Sequence, residues 1–168
     1  SNFFGTYTGH DATDADHSNF FGDHTGQYAT YASESNFFGR SAGALATNAS
    51  NSNFIGSFAG GGATNASNSI FIGQFAGNSD IVNNTGNADD FSILIGKSTS
   101  TGGHSNSIAI GGSATNTSSN QFMIGSTTRP INTLVLTGAS GNTCTLDVTV
   151  ASPSCSSDER LKTNIEDL

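Results

Sequence analysis

The chain contains no tryptophan, one methionine and two cysteines in 168 residues. Charged residues make up 11% of it and hydrophobic residues 34%. So few core residues argue against a compact globule, whereas a repeat solenoid needs only a few per coil. Basic residues are especially sparse: only Arg40 and Lys97 precede Arg129, and the net charge is −8. Nucleic acid demands a cationic footprint, so it is not expected as a partner. No apolar run approaches the length that crosses a bilayer, and membrane insertion is not expected either. The chain does not begin with Met and shows no leader pattern, which leads us to expect a fragment or processed product. Low charge with abundant Ser, Thr and Asn is also how disorder reads. A strict repeat argues against it.

That repeat is Ser-Asn-Phe-Phe-Gly. It occupies 1–5, 18–22 and 35–39, then returns as Ser-Asn-Phe-Ile-Gly at 52–56 and Ser-Ile-Phe-Ile-Gly at 69–73. Its glycines, Gly5, Gly22, Gly39, Gly56 and Gly73, recur every 17 residues, and a second glycine follows four residues later each time. After an apparent insertion at 86–91 the phrase reappears at 92–96, 107–111 and 121–125, now at spacings of 15 and 14. A fixed short period of this kind marks a repeat architecture. Units of this length are too short for helix pairs. Their short apolar runs, bounded by Gly, Asn and Ser, read as strands with turns. The expected fold is all-β: a parallel β-solenoid of about eight 14–17-residue coils over residues 1–125. At about 4.8 Å per coil it would extend on the order of 40 Å.

Successive strand residues point to opposite faces. The pairs Phe3/Phe4, Phe20/Phe21 and Phe37/Phe38, and their successors Phe54/Ile55 and Phe71/Ile72, therefore form one inward and one outward column. An outward apolar column is a patch that soluble proteins rarely leave uncovered. Burial by other chains is the expectation; a thick coil that takes both columns inside is the alternative.

Ser107-Ile108-Ala109-Ile110-Gly111, with its return to Gly125, resembles the head repeat of trimeric autotransporter adhesins. Similar Asn-Phe-Phe-Gly repeats resemble tail-fibre-like proteins. The adhesin resemblance implies three chains, each a left-handed β-roll, with apolar faces meeting on a threefold axis.

The remaining features are weaker. His10, His17 and His24 lie among Asp11, Asp14, Asp16 and Asp23, which makes them weak candidates for metal; the solvated face is the simpler reading. Asn48, Asn65, Asn83 and Asn116 open Asn-x-Ser/Thr sequences, read here as stacked turn residues rather than glycosylation sites. Thr13, Thr30, Thr47 and Thr64 would form a row along one edge. Phe91 is expected to plug the gap where coil length changes. Residues 126–156 read as a β-rich connector, with a hairpin around 138–142 and Leu134, Leu136, Leu146, Val148 and Val150 packed inward. Cys144 and Cys155 are the possible disulfide, within one chain or between chains.

The last stretch, Ser156-Ser157-Asp158-Glu159-Arg160-Leu161-Lys162-Thr163-Asn164-Ile165, resembles the opening of the self-cleaving intramolecular chaperone domain of endosialidases and phage tail fibres. By that resemblance, residues 157–168 begin a trimerisation chaperone and a short helix. Ser157 is the nucleophile, Lys162 its base, and the Ser156–Ser157 bond the scissile one. A serine hydroxyl needs such a base to act as a nucleophile.

Together these point to an extracellular, structural and adhesive homotrimeric fibre, on a virion tail or a bacterial surface. Its partners would be itself, end to end in filaments included, and a cell-surface receptor or glycan. No cofactor and no substrate-directed activity are implied. The alternatives are the scaffold of a glycan-degrading tailspike and an ice-binding β-solenoid.

Overall fold

The computed structural model describes residues 1–83 and 90–136 in full, and the backbone of 137 and 143–147. The chain divides into two units, Ser1–Arg129 and Pro130–Leu168.

The first unit is a parallel β-solenoid. Its strands are β1 (Asn2–Phe4), β2 (Asn19–Phe21), β3 (Asn36–Phe38), β4 (Asn53–Ile55), β5 (Ile70–Ile72), β6 (Ile93–Ile95), β7 (Ile108–Ile110) and β8 (Phe122–Ile124). They lie in one sheet in chain order. Every pairing joins equivalent repeat positions: Phe3 with Phe20, Phe20 with Phe37, Phe37 with Phe54, Phe54 with Phe71. Past the insertion, Phe71 meets Leu94, then Ala109, then Met123. No helix occurs among the described residues.

The first residue of each Phe-Phe pair is the inward one. Phe20, Phe37, Phe54 and Phe71 are fully buried. Their rings stack at centroid separations of 4.6–4.7 Å, nearly parallel. Columns of alanine fill the rest of the interior, among them Ala29, Ala46 and Ala63, and Ala32, Ala49 and Ala66. Such an interior is too narrow for a second aromatic column, so Phe21, Phe38, Ile55 and Ile72 point outward. The thick coil with both columns inside is not what forms.

The other letters of the phrase have equally local causes. The serine before each of β2–β7 is buried, and its hydroxyl ties adjacent coils. Ser35 Oγ donates to the Ala49 carbonyl at 2.6 Å and accepts from the Ser52 amide at 3.2 Å. The asparagines form an amide ladder on the outside, Asn2 to Asn19 to Asn36 to Asn53, at 2.8–3.0 Å. The second glycine exists for the phenylalanine. A Cβ on Gly26 would stand 2.5 Å from the Phe20 ring, and the backbone there has φ +62°.

After each strand, the long coils make three overlapping turns. In the second coil these close Thr25 onto Gly22, Gln27 onto His24, and Ala29 onto Gly26. Each has a positive φ at its third residue: His24 at 55°, Gly26 at 62°, Tyr28 at 55°. That is the pattern of type II turns.

Two polar side chains manage the change of coil length. Asp80 takes an alanine's place in the interior, where its carboxylate accepts from the Thr101 amide at 2.5 Å and the Thr101 hydroxyl at 3.0 Å. Asn83 donates to the Ser67 and Asp90 carbonyls at 3.1 and 3.2 Å and accepts from the Ser92 hydroxyl at 3.0 Å. Phe91 does not plug the gap. It is 41% exposed, and the junction is held by hydrogen bonds instead.

In the second unit, β9 (Thr133–Thr137) and β10 (Thr143–Asp147) pair antiparallel, Leu134 opposite Leu146 and Leu136 opposite Cys144. The two expected strands therefore pair; the expected turn at 138–142 lies outside the described residues. Leu136 is not packed inward: it is 59% exposed. The Cys144 side chain, Leu146's side chain, Val148, Val150, Cys155, the Ser157–Lys162 pair and the expected C-terminal helix lie outside the described residues.

Candidate functional site

The feature that most needs explaining is the outward face of the eight-stranded sheet. It carries two side-chain columns, because the first and third residues of each three-residue strand point away from the interior. The third-residue column is apolar throughout: Phe4, Phe21, Phe38, Ile55, Ile72, Ile95, Ile110, Ile124. Phe21 stacks on Phe38 at 5.1 Å, and Phe4 lies tilted against Phe21 at 6.3 Å. The first-residue column is asparagine in β1–β4, then Ile70, Ile93, Ile108 and Phe122 in β5–β8. The face is thus half amide and half hydrocarbon at one end, and entirely hydrocarbon at the other.

Eight strands at about 4.8 Å make a strip roughly 34 Å long. Phe4 and Phe122, near its ends, are 74% and 59% exposed. Scattered apolar residues are ordinary on protein surfaces; a contiguous apolar strip marks a contact. Parallel strands lock the register, so every outward residue is fixed in height and azimuth by its neighbours. The strip is preorganised and loses little freedom when covered.

The other predicted residues fall elsewhere. His10 and His24 lie on the turn side, each paired with an aspartate at 2.9 Å, Asp11 and Asp23 respectively. The Tyr7 ring contacts both imidazoles. His17 stands in the column of Glu34, Asn51 and Asn68, just ahead of the buried serines. Among the described residues, no three His, Cys, Asp or Glu side chains gather to hold a metal.

The threonine row is real but narrow. Thr30, Thr47 and Thr64 bridge in parallel, and the next member is Ile81. Of the Asn-x-Ser/Thr positions, Asn48 bonds Asn65 side chain to side chain at 3.0 Å. Asn83 and Asn116 are buried, with their amide nitrogens donating to backbone carbonyls.

Sequence reasoning missed one feature on the turn side, a groove bordered by Tyr28, Leu45 and Phe58. These bulky residues adopt left-handed φ values of 55°, 60° and 58°. That conformation costs an L-residue about 1–2 kcal/mol, and glycine or asparagine is its usual occupant. No local pattern announces such a choice.

No protein-family model, curated protein or solved structure matches this chain.

Proposed function

We propose that this chain is a structural, adhesive fibre segment: a homotrimer joined along the outward sheet face, working outside the cell on a virion tail or a bacterial surface. The observation that carries the reading is the unbroken apolar column from Phe4 to Ile124. Burying one such side chain is worth about 1.5–3 kcal/mol when complete. Eight per chain, already half covered, still leave ample driving force for association. The number three rests on the adhesin-like phrase at 107–111. A fibre of three chains is rigid and presents three copies of any weak binding site, so avidity replaces single-site affinity.

The C-terminal phrase supports the same reading by resemblance, as the start of a trimerisation chaperone. Its chemistry would be attack of the Ser157 hydroxyl on the Ser156 carbonyl, with the proton passing to the Lys162 amine and on to the leaving amide nitrogen. Water would then release residues 157–168.

The test is the native mass of the purified chain beside its denatured mass. A ratio of three supports the fibre; a ratio of one overturns it. The denatured mass also reports cleavage. Loss of residues 157–168, abolished by both Ser157→Ala and Lys162→Ala, supports the dyad, and an intact wild-type chain removes autocleavage from the reading.

A further inference from the structure

The turn side of the long coils holds a groove of 370 Å³ that the fold itself does not require. It arises because two neighbouring side-chain columns dwindle to glycine in the fourth coil. One column runs Tyr28, Leu45, Gly62, Ser79, and the column beside it runs Gln27, Ala44, Gly61, Asn78. The hollow is centred on Gly61 and Gly62.

Neither glycine is demanded by the backbone. Gly62 has φ +68°, but Tyr28, Leu45 and Ser79 adopt nearly the same conformation at the equivalent place with side chains attached. A Cβ on Gly62 would meet nothing closer than Ser79 Oγ at 3.5 Å, an ordinary contact. Gly61 has no positive φ, and its Cβ would meet the tip of the Asn78 side chain at 2.9 Å. Gly60, in contrast, lies under the Phe54 ring, where a Cβ has no room. One glycine of the three serves the core, and the other two open the surface.

The walls are apolar and firmly held. Phe58 stacks on Phe75 at 5.2 Å, and the Arg40 guanidinium lies 4.9 Å over the Phe58 ring. Tyr28 is braced by His10. The left-handed turn backbone, which recurs in every long coil, aims Tyr28, Leu45 and Phe58 outward around the hollow. The polar groups at the rim are neutral: the Gln27 amide, the Asn78 amide, whose nitrogen already donates to the Phe58 and Gly61 carbonyls at 3.3 and 3.1 Å, and the Ser41 and Ser79 hydroxyls. His24 also borders the hollow and is held by Asp23.

We infer that this groove is a saccharide-binding site that takes a neutral sugar unit of a surface glycan. A pyranose offers C–H surface to aromatic and aliphatic walls and hydroxyls to amides. The volume falls within the roughly 300–1,000 Å³ usual for small-ligand sites. The absence of a bare cation or carboxylate among the lining residues selects a neutral ligand over an acidic one. The inference deepens the adhesive reading, since it names what the fibre would hold.

The experiment is saturation-transfer NMR on the full chain with a panel of methyl glycosides: glucoside, galactoside, mannoside and the N-acetylhexosaminides. Transfer to at least one sugar is expected. Gly62→Leu restores a side chain that the backbone accepts at Leu45, so it should fill the groove and cut transfer at least tenfold with an unchanged circular dichroism spectrum. Tyr28→Ala removes an exposed wall and should weaken transfer several-fold; it decides the matter if Gly62→Leu misfolds. No transfer to any sugar, or transfer undiminished by the deciding variant, overturns the inference. Native mass separates the two readings: a trimer that binds no sugar leaves the fibre standing, and a monomer that binds one leaves only the groove.

Discussion

The solenoid has two halves built to different rules. From β1 to β5 the repeat is 17 residues and the interior column is phenylalanine. From β6 to β8 the repeat drops to 15 and then 14, and the column becomes Leu94, Ala109 and Met123. The long coil makes three overlapping turns after its strand, while the coil of β7 makes one, closing Ala114 onto Gly111. Perimeter and core volume change together because they are one quantity. A stacked phenyl ring needs the extra turns to enclose it and a glycine to lie against; a smaller core residue needs neither.

This coupling is best broken from the inside. Phe54→Ala removes a ring stacked 4.7 Å from both its neighbours, in a coil with no other large core residue. The expected loss is about 3–5 kcal/mol, measured by denaturant unfolding. The converse, Ala109→Phe, puts a ring into a short coil with a single turn to hold it. Overpacking there should cost about 1–3 kcal/mol. An Ala109→Phe chain as stable as wild type would show that core volume does not set the perimeter.

The glycine beneath the ring sharpens the same point. Gly26→Ala should destabilise by about 1–3 kcal/mol, through the contact with Phe20 and the left-handed backbone together. In a Phe20→Leu background the steric part should disappear. A penalty equal in both backgrounds would assign all of it to φ.

At the seam between the halves, Asp80→Ala leaves the buried Thr101 amide without its acceptor, while the Thr101 hydroxyl keeps the Ile81 carbonyl at 3.2 Å. A loss of about 1–3 kcal/mol is expected. An unchanged melting temperature would mean that the hydrogen bonds do not hold the seam.

Much of this was legible in the sequence, and for physical reasons. Stacking forces equivalent residues into register, so the period alone located all eight strands, and alternation required one phenylalanine in and one out. It did not say which. That is decided by Gly26 and its equivalents, which offer the first ring of each pair a place to lie. Asn83 read as one more stacked turn asparagine, because nothing local reveals that it lies buried at the coil-length change. Phe91 was misassigned for the matching reason: a buried amide satisfies the carbonyls a seam exposes, and a phenyl ring cannot. The groove escaped notice because triple glycine looks like one flexible stretch until stacking separates Gly60, under a ring, from Gly61 and Gly62, which face the side-chain tips of Asn78 and Ser79.

The outer face offers the smallest effect on stability and the sharpest on assembly. Asn36 and Ile93 are equivalent outward positions, one in each half, on β3 and β6. Both are partly exposed and neither contributes to the core, so Ile93→Lys should change unfolding free energy by about 0.5 kcal/mol or less per chain in the dissociated state, and Asn36→Lys, which breaks two ladder bonds, by about 1 kcal/mol. Their effects on native mass should differ. A lysine at Ile93 enters a zone where Ile70, Ile72, Ile95, Ile108 and Ile110 surround it with hydrocarbon, and covering that zone would bury an unpaired charge. It should dissociate the proposed trimer at micromolar concentration. A lysine at Asn36 enters an amide ladder, where polar partners remain, and should leave most of the proposed trimer intact. Equal dissociation by both variants would mean the whole length of the face is used alike. Loss of the trimer from Asn36→Lys alone would place the contact on the amide-lined half, and the hydrocarbon half would then need a different explanation.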